Sequence, residues 1–401
     1  MIWGFAPPAA THTHRFIHES LFVSAVQALV RDIEDDENEC GFCACWLDDN
    51  LAIKIDPAHV SSLVERSVVF TSPIYNSVRY LPFSEQAKYI VHGRSEEANA
   101  TDRIAVAKGR AVTLIVYRYP LGGDFAPVPP HIAYAGSPPA EWPQEPPIYQ
   151  DASCASRTLN LLWGCDALPG RIETNKQALT HGTLAARAGD PSPYVVFVGS
   201  IWHRNVREWV DFAEGCSRAR LPVHVFGSLM GGIPAKLHRL ILHHGPNTRV
   251  STRDADALTR TAFLAPAPQG AKHVESVNRS YVTDRVFRLV AVGQPVVTNN
   301  PGVAALFRSV RGGAVLYRPD VSSLCGDAAH FVRHLTDPAG IHALMDNVAA
   351  YHTYLSRWHT YLRFLRAVIA DGGGGGGGGG GAVRAGGRAG VSGGDNEFGC
   401  G

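Results

Sequence analysis

The stretch Tyr281–Asn300, YVTDRVFRLVAVGQPVVTNN, limits the fold more than any other part of the chain. Val282, Val286, Leu289, Val290 and Val292 recur at helical spacing, and Asp284 sits early, where a helix N-terminus favours negative charge. Gly293 can take the left-handed conformation that ends a helix, and Pro295 blocks its renewal. The β-branched run Val296, Val297, Thr298 then predicts a short buried strand, whose carboxyl end delivers Asn299, Asn300, Pro301 and Gly302 into a loop. A helix that feeds such a strand belongs to an open α/β sheet, where ligands bind beyond the strand ends.

The surrounding residues repeat this pattern. YVVFVGS from Tyr194 reads as an apolar strand closed by glycine, and Asn205 to Arg218 as an amphipathic helix with Val206, Trp209, Val210 and Phe212 on or near its buried side. LPVHVFGS from Leu221 is a second strand ending in glycine, and RTAFLAPAPQ around Phe263 a third. Val296 to Thr298 supplies a fourth and AVLYRPD from Ala314 a fifth. Ala328 to Ala370 reads largely as helix, interrupted around Asp337 and Pro338. Repeated strand, glycine and helix predict a Rossmann-like sheet.

The first half reads as a second α/β domain. Met1 to Ala6 is a first strand closed by Pro7 and Pro8, and a helix runs from about Arg15 to Asp32 on Phe16, Leu21, Phe22, Ala25, Leu29 and Val30. CGFCACWL, SVVFT from Ser67, KYIVHG around Ile90 and RAVTLIVYRYP from Arg110 follow as apolar runs, the last the strongest strand. The density of proline between Ala126 and Pro147 excludes helix and central strand, so this is a surface loop or the approach to a domain boundary. The expected division is an N-terminal domain over 1–170 and a C-terminal domain over 171–371. Ten consecutive glycines from Gly372 make 372–401 a disordered tail, because ordering them costs too much chain entropy.

A hydrophobic share of 45% with 18% charged residues is that of a soluble globular protein. A net charge of +1 gives no footprint for nucleic acid or an anionic membrane, so any phosphate recognition is local. No apolar run reaches the roughly 20 residues of a membrane span, and the opening residues lack a signal pattern; the expectation is a cytoplasmic protein. Eight cysteines are too dilute for a disulfide framework. Cys40, Cys43 and Cys45 invite a zinc reading, but on a strand Cys40 falls on the opposite face, and small buried hydrophobes are the plainer account.

Candidate site residues cluster at strand ends. Gly199 and Ser200 lie between a strand and a helix, where a glycine lets a phosphorylated ligand approach the backbone while helix-start amides and Arg204 hold its charge; glycine for turn sterics alone is the alternative. Tyr281, Asp284, Arg285, Asn299 and Asn300 bracket the same presumed crevice, with a helix-start ion pair and an asparagine turn as the alternative. In the first half, His12 and His14 follow the first strand and suit general base work, while Thr71, Ser72, Tyr75 and Asn76 are acceptor-side candidates. Asp254 in DADAL reads as the cap of a helix rather than as a metal ligand.

VVFVGSIWHRN, VHVFG, TDRVFRLVAVGQPVVTNNPGVAALF, VLYRPD and AAYHTYLSR, in this order, resemble the C-terminal domain of GT-B glycosyltransferases, and most of all the CgeB-like spore-maturation family. That family carries R-V-F-E-x-x-A-x-G-x-P-x-x-T, a following L-F and a closing H-T-Y-x-x-R, matched at the end by His352, Tyr354 and Arg357. NLLWGCDALP also looks like the interdomain strand of such proteins.

The resemblance implies two Rossmann-like domains facing a cleft. It implies a nucleotide-diphosphate-sugar donor as co-substrate on the second domain, near Gly199, Ser200, Arg204, Asn205, Gly227 and Arg285, with Asn299 and Asn300 lining sugar or base. The acceptor, a glycan, lipid, small molecule or protein, faces the first domain, and no bound metal or other cofactor is expected. One position departs: the family's glutamate after the phenylalanine is Arg288, and a cation cannot accept from ribose hydroxyls. Asp284 or Glu275 substitutes, the donor differs, or the domain no longer turns over. The expected activity is glycosyl transfer; the alternatives are an inactive sugar-nucleotide or glycan-binding protein and a sugar-nucleotide epimerase.

Overall fold

A computed structural model describes residues 164–356, apart from 203–204, 246–249, 251, 269–282 and 309, together with residues of eight strands between 2 and 160. The chain falls into two compact units. Met1–Val116, Tyr149–Asn160 and Leu355–Gly401 make the first, and Tyr117–Ile148 with Leu161–Tyr354 the second.

The first unit holds a seven-stranded sheet. Its strands are β1 (Ile2–Trp3), β2 (Trp46–Leu47), β3 (Val68–Thr71), β4 (Lys88–Gly93), β5 (Val112–Val116), β7 (Gln150–Ser153) and β8 (Thr158–Asn160). The order is β2-β1-β3-β4-β5-β8-β7, parallel throughout except for the β7–β8 pair. The apolar runs at Ser67, Ile90 and Arg110 thus contain strands β3, β4 and β5. The expected helix over 15–32, the cysteines at 40, 43 and 45 and the glycine tail lie outside the described residues.

In the second unit, β9 (Val195–Val198), β11 (Val223–Phe226) and β13 (Ile241–His243) form a parallel sheet in the order β13-β11-β9. A short parallel pair, β10 (Ile201–Trp202) with β12 (Leu229–Met230), continues from β9 and β11. β14 (Val296–Thr298) pairs in parallel with β15 (Val315–Tyr317), and β6 (Ala133–Tyr134), from the proline-rich stretch, adds an antiparallel strand. The two sheets are joined by the segment after Thr261. Val196 N–H donates to Leu264 O at 2.9 Å, and Ala267 N–H donates to Val297 O at 3.3 Å. The spatial order is therefore β13, β11, β9, the Leu264 segment, β14, β15 and β6, a Rossmann-like order whose switch point lies between β9 and Leu264.

Successive strand residues feed opposite faces. Val296, Val315 and Tyr317 join a core with Phe287, Val290, Phe307 and Leu344, whereas Val297 and Leu316 join one with Phe197, Trp209, Phe212 and Leu324. Both faces are covered, as the continuous apolar runs require. Burying a phenylalanine of the Phe197, Phe212, Phe263, Phe287 and Phe307 set contributes about 1.5–3 kcal/mol.

The helices are α1 (Pro169–Ala178), α2 (His181–Ala188), α3 (Val206–Arg218), α4 (Ala235–Leu240), α5 (Thr252–Thr261), α6 (Asp284–Ala291), α7 (Pro301–Phe307), α8 (Val321–His334) and α9 (Ala339–Tyr351). Helix α6 ends as the sequence predicts, with Gly293 at φ +86°.

Several expectations are corrected. Pro301 and Gly302 open a helix rather than a loop, because Asn300 Oδ1 accepts the Gly302 N–H at 2.7 Å and Pro301 needs no N–H at the first helical position. The expected strand around Phe263 is one bridge, Val195 to Leu264, because Pro266 has no N–H to extend a ladder. Asp254 lies within the first turn of α5 rather than at its cap. The helical stretch expected from Ala328 begins at Val321. Cys216 of α3 and Cys325 of α8, packed against each other, form a disulfide, a bridge that the dilute cysteine content did not predict.

Candidate functional site

The carboxyl ends of β9 and β11 turn together at two glycines. Gly199 has φ +147° and Gly227 φ +142°, conformations that side-chain-bearing residues rarely adopt. Gly199 N–H donates to Phe226 O at 2.8 Å, and Ile201 N–H to Ser228 O at 2.9 Å, so the pairing resumes beyond the kink as β10 and β12. A Cβ at 227 would collide with the Gly199 carbonyl, and a Cβ at 199 with the Arg285 guanidinium. Arg285 reaches this point from the first turn of α6, its Cζ lying 4.2 Å from the centroid of the Phe197 ring. Three residues far apart in sequence, Gly199, Gly227 and Arg285, thus meet at strand carboxyl ends beside the switch point. Half-buried backbone without side chains beside a cation is an arrangement suited to an anion.

Asn299 and Asn300 follow β14 and are both buried. Asn300 caps α7, and its own N–H donates to Thr298 Oγ1 at 3.0 Å. Asn205 occupies the N-cap position of α3 without a side-chain capping bond, and Asp284 is the first residue of α6. Ser200 is half-buried beside Gly199. Thr71 ends β3. His12, His14, Ser72, Tyr75, Asn76, Arg204, Glu275, Tyr281 and Arg357 lie outside the described residues.

Arg288, one turn beyond Arg285, faces carboxylates. Its Nε lies 3.2 Å from Asp166 Oδ1 and its Nη2 3.9 Å from Asp256 Oδ1, while Arg171 pairs with Asp256 at 2.5 Å. Burial pushes the Asp166 carboxyl up against the opposing pull of Arg288. Burial also works against the Arg288 charge, but Asp166, Asp284 and Asp256 together hold its guanidinium above the ordinary value. Arg288 therefore ties the Asp166 segment to α6.

The ends of α5 and α6 are held by side chains whose partners the sequence did not reveal. Gln294, fully buried, donates through Nε2 to Thr259 O at 2.7 Å and Ala262 O at 3.1 Å, and accepts the Ala265 N–H at 3.2 Å. Asn175 Nδ2 donates to Ala291 O at 2.8 Å, and Arg187 Nη1 donates to Gly293 O at 3.1 Å. Burial lowers the Arg187 pKa to about 10. The signal for Gln294 was available: it is the one polar side chain between Val290 and Thr298.

His352 and Tyr354 of the closing motif are also buried. The His352 ring stacks on Phe287 with centroids 4.5 Å apart, its carbonyl accepts the Cys165 N–H at 2.8 Å, and Tyr354 N–H donates to Cys165 O at 2.9 Å. Among the described residues no group of three or more His, Cys, Asp or Glu is placed to hold a metal ion, and no helix is long and apolar enough to cross a membrane.

No family model and no curated protein matches the sequence. Solved structures similar to it include the Candida albicans trehalose-6-phosphate phosphatase N-terminal domain, at 11% identity and TM-score 0.48 over 91% of this chain and 96% of that one. Anabaena HepE in complex with UDP and glucose gives 13% and 0.48 over 92% and 100%. The α,α-trehalose 6-phosphate synthase of Burkholderia multivorans gives 10% and 0.45 over 89% and 84%.

Proposed function

We propose that the chain is a glycosyltransferase of GT-B type whose second unit binds a nucleotide-diphosphate sugar. The observation that carries this reading is the meeting of Arg285 with the Gly199 and Gly227 turns at the carboxyl ends of β9 and β11. The ordered motifs that resemble the CgeB-like family support it. In this reading the donor diphosphate lies against Gly199, Ser200 and Asn205 with Arg204 and Arg285 balancing its charge, and Tyr281, Asp284, Asn299 and Asn300 border the sugar or base. The acceptor side falls to the first half, through Thr71, Ser72, Tyr75 and Asn76. Transfer joins an acceptor oxygen to the anomeric carbon as the bond to the diphosphate breaks, with His12 or His14 taking the acceptor proton and the nucleoside diphosphate leaving.

Thermal-shift measurement with UDP-, GDP- and dTDP-sugars tests the reading, because a ligand at a hundred times its Kd stabilises by about 2.7 kcal/mol. No shift at millimolar concentration with any of them contradicts it. A second reading, sugar-nucleotide binding without turnover, draws on Arg288, which is engaged with Asp166 and Asp256 where the resembled family has a carboxylate. Donor binding with no transfer and no hydrolysis to free nucleotide decides for that reading.

A further inference from the structure

We propose that His243 is a positioning residue for the glycine turn, an inference that rests on the donor-binding role given to that turn above. The strand β13 pairs with β11 only as far as Val225↔His243, and His244 N–H then donates to Val225 O at 3.0 Å. The next carbonyl on the turning side of β11 is that of Gly227, where φ +142° swings the chain out of line with β13. In the sequence the residue two beyond His244 is Pro246, which has no N–H to donate. The His243 side chain takes over: its Nε2–H donates to Gly227 O at 2.8 Å, so an imidazole continues the hydrogen bonding where the backbone diverges.

That bond bears on the site through one further contact. The Cα of Gly227 packs so closely on the Gly199 carbonyl that a Cβ there has no room, and the missing Cβ of Gly199 is what admits Arg285. Orienting the Gly227 peptide therefore orients Gly199, and with it the backbone that Arg285 covers. The neighbouring pair strengthens the hold on the end of β13. His224 Nδ1 and His244 Nε2 are 2.9 Å apart, and the His244 ring stacks on Phe226 with centroids 4.2 Å apart. His243 acts through Gly227 and Gly199 rather than on the ligand, and its donor atom, rather than its charge or bulk, is the functional feature.

The test uses the full chain and three substitutions. His243→Gln keeps a donor nitrogen at the corresponding distance along the side chain, His243→Asn keeps one on a shorter stem, and His243→Phe keeps the ring without the donor. Hydrogen–deuterium exchange of a peptide covering 195–202 is read first, without ligand. Exchange about tenfold faster in His243→Phe and His243→Asn, restored by His243→Gln, is the expected result, and unchanged exchange in His243→Phe overturns the inference. Calorimetric titration with UDP, GDP and dTDP is read second. About tenfold weaker binding in His243→Phe, with recovery in His243→Gln, supports the inference, whereas equal affinity in all variants overturns it. If the unaltered chain binds none of the three nucleotides, the donor-site reading falls, and with it the positioning role for donor binding; the exchange result shows separately whether His243 holds the turn.

Discussion

The guanidinium of Arg285 occupies the space that a side chain at Gly199 would fill, stacked at 4.2 Å from the Phe197 ring centroid. Helix α6 and strand β9 therefore meet through a cation and a bare backbone, and the two glycines of the turn differ in what surrounds them. Gly199 faces the far end of a flexible side chain, and Gly227 faces backbone. Alanine at either position strains a sparsely populated φ at about 1–3 kcal/mol. Gly227→Ala must also displace the Gly199 carbonyl, so it is expected to lower the melting temperature more than Gly199→Ala. Differential scanning calorimetry of the two variants checks the ranking; equal melting temperatures count against the packing described.

Arg288→Glu restores the residue of the resembled family and is expected to harm the protein. It sets a third carboxylate beside Asp166 and Asp256 and removes the cation paired with Asp166, leaving Asp256 its pair with Arg171. Breaking a fully buried pair costs about 3–5 kcal/mol, and the half-buried Arg288 places this loss below that range. Chemical denaturation of Arg288→Glu measures the loss, and a variant as stable as the parent contradicts the ion-pair assignment.

Much of the second unit was legible in the residues, and the reasons for the gaps are physical. Strand β14, the Gly293 stop and the glycines after β9 and β11 announce themselves in apolar runs closed by glycine. Helix α7 was missed because Asn-Asn-Pro-Gly serves a turn and a helix cap equally well, and only the bond from Gly302 N–H to Asn300 Oδ1 tells them apart. The contact of Gly227 with Gly199 comes from the β9–β11 register, which local sequence does not encode. The partners of Arg288 lie on other elements, and His243 is one of 18 histidines with nothing in its neighbours to single it out.

Acid is expected to weaken the fold through His224. Burial first, and the charge of His244 second, hold its pKa below the ordinary histidine value. The unfolded chain therefore binds more protons than the folded one as pH falls through about 6.5, so this contribution is present above that pH and declines below it. Melting temperatures at pH 8, 6.5 and 5.5 should fall more steeply for the parent than for His224→Gln. An equal or steeper fall in the variant contradicts the assignment.

The Cys216–Cys325 disulfide closes a long loop between α3 and α8, so replacing both cysteines with alanine is expected to cost about 2–4 kcal/mol. Burial, with the Asp166 carboxylate adding to it, pushes the Cys165 thiol up to about 12, which leaves it protonated and unreactive in the native state. Alkylation and peptide mass spectrometry, before and after reduction under denaturing conditions, should find Cys216 and Cys325 labelled only after reduction. Cys165 should label only after unfolding. Labelling of Cys216 in the native, unreduced protein contradicts the pairing.

Calorimetric titration of UDP-, GDP- and dTDP-sugars into the parent chain and Arg285→Ala bears most directly on the donor site. At least one sugar nucleotide is expected to bind the parent saturably, and Arg285→Ala to weaken it by about 1.5–3 kcal/mol, the scale of a hydrogen bond to a charged group. Loss of the stacking on Phe197 should lower stability by only about 0.5–1 kcal/mol. Absence of binding by the parent at millimolar ligand, or an Arg285→Ala variant that is strongly destabilised with its affinity intact, contradicts the site.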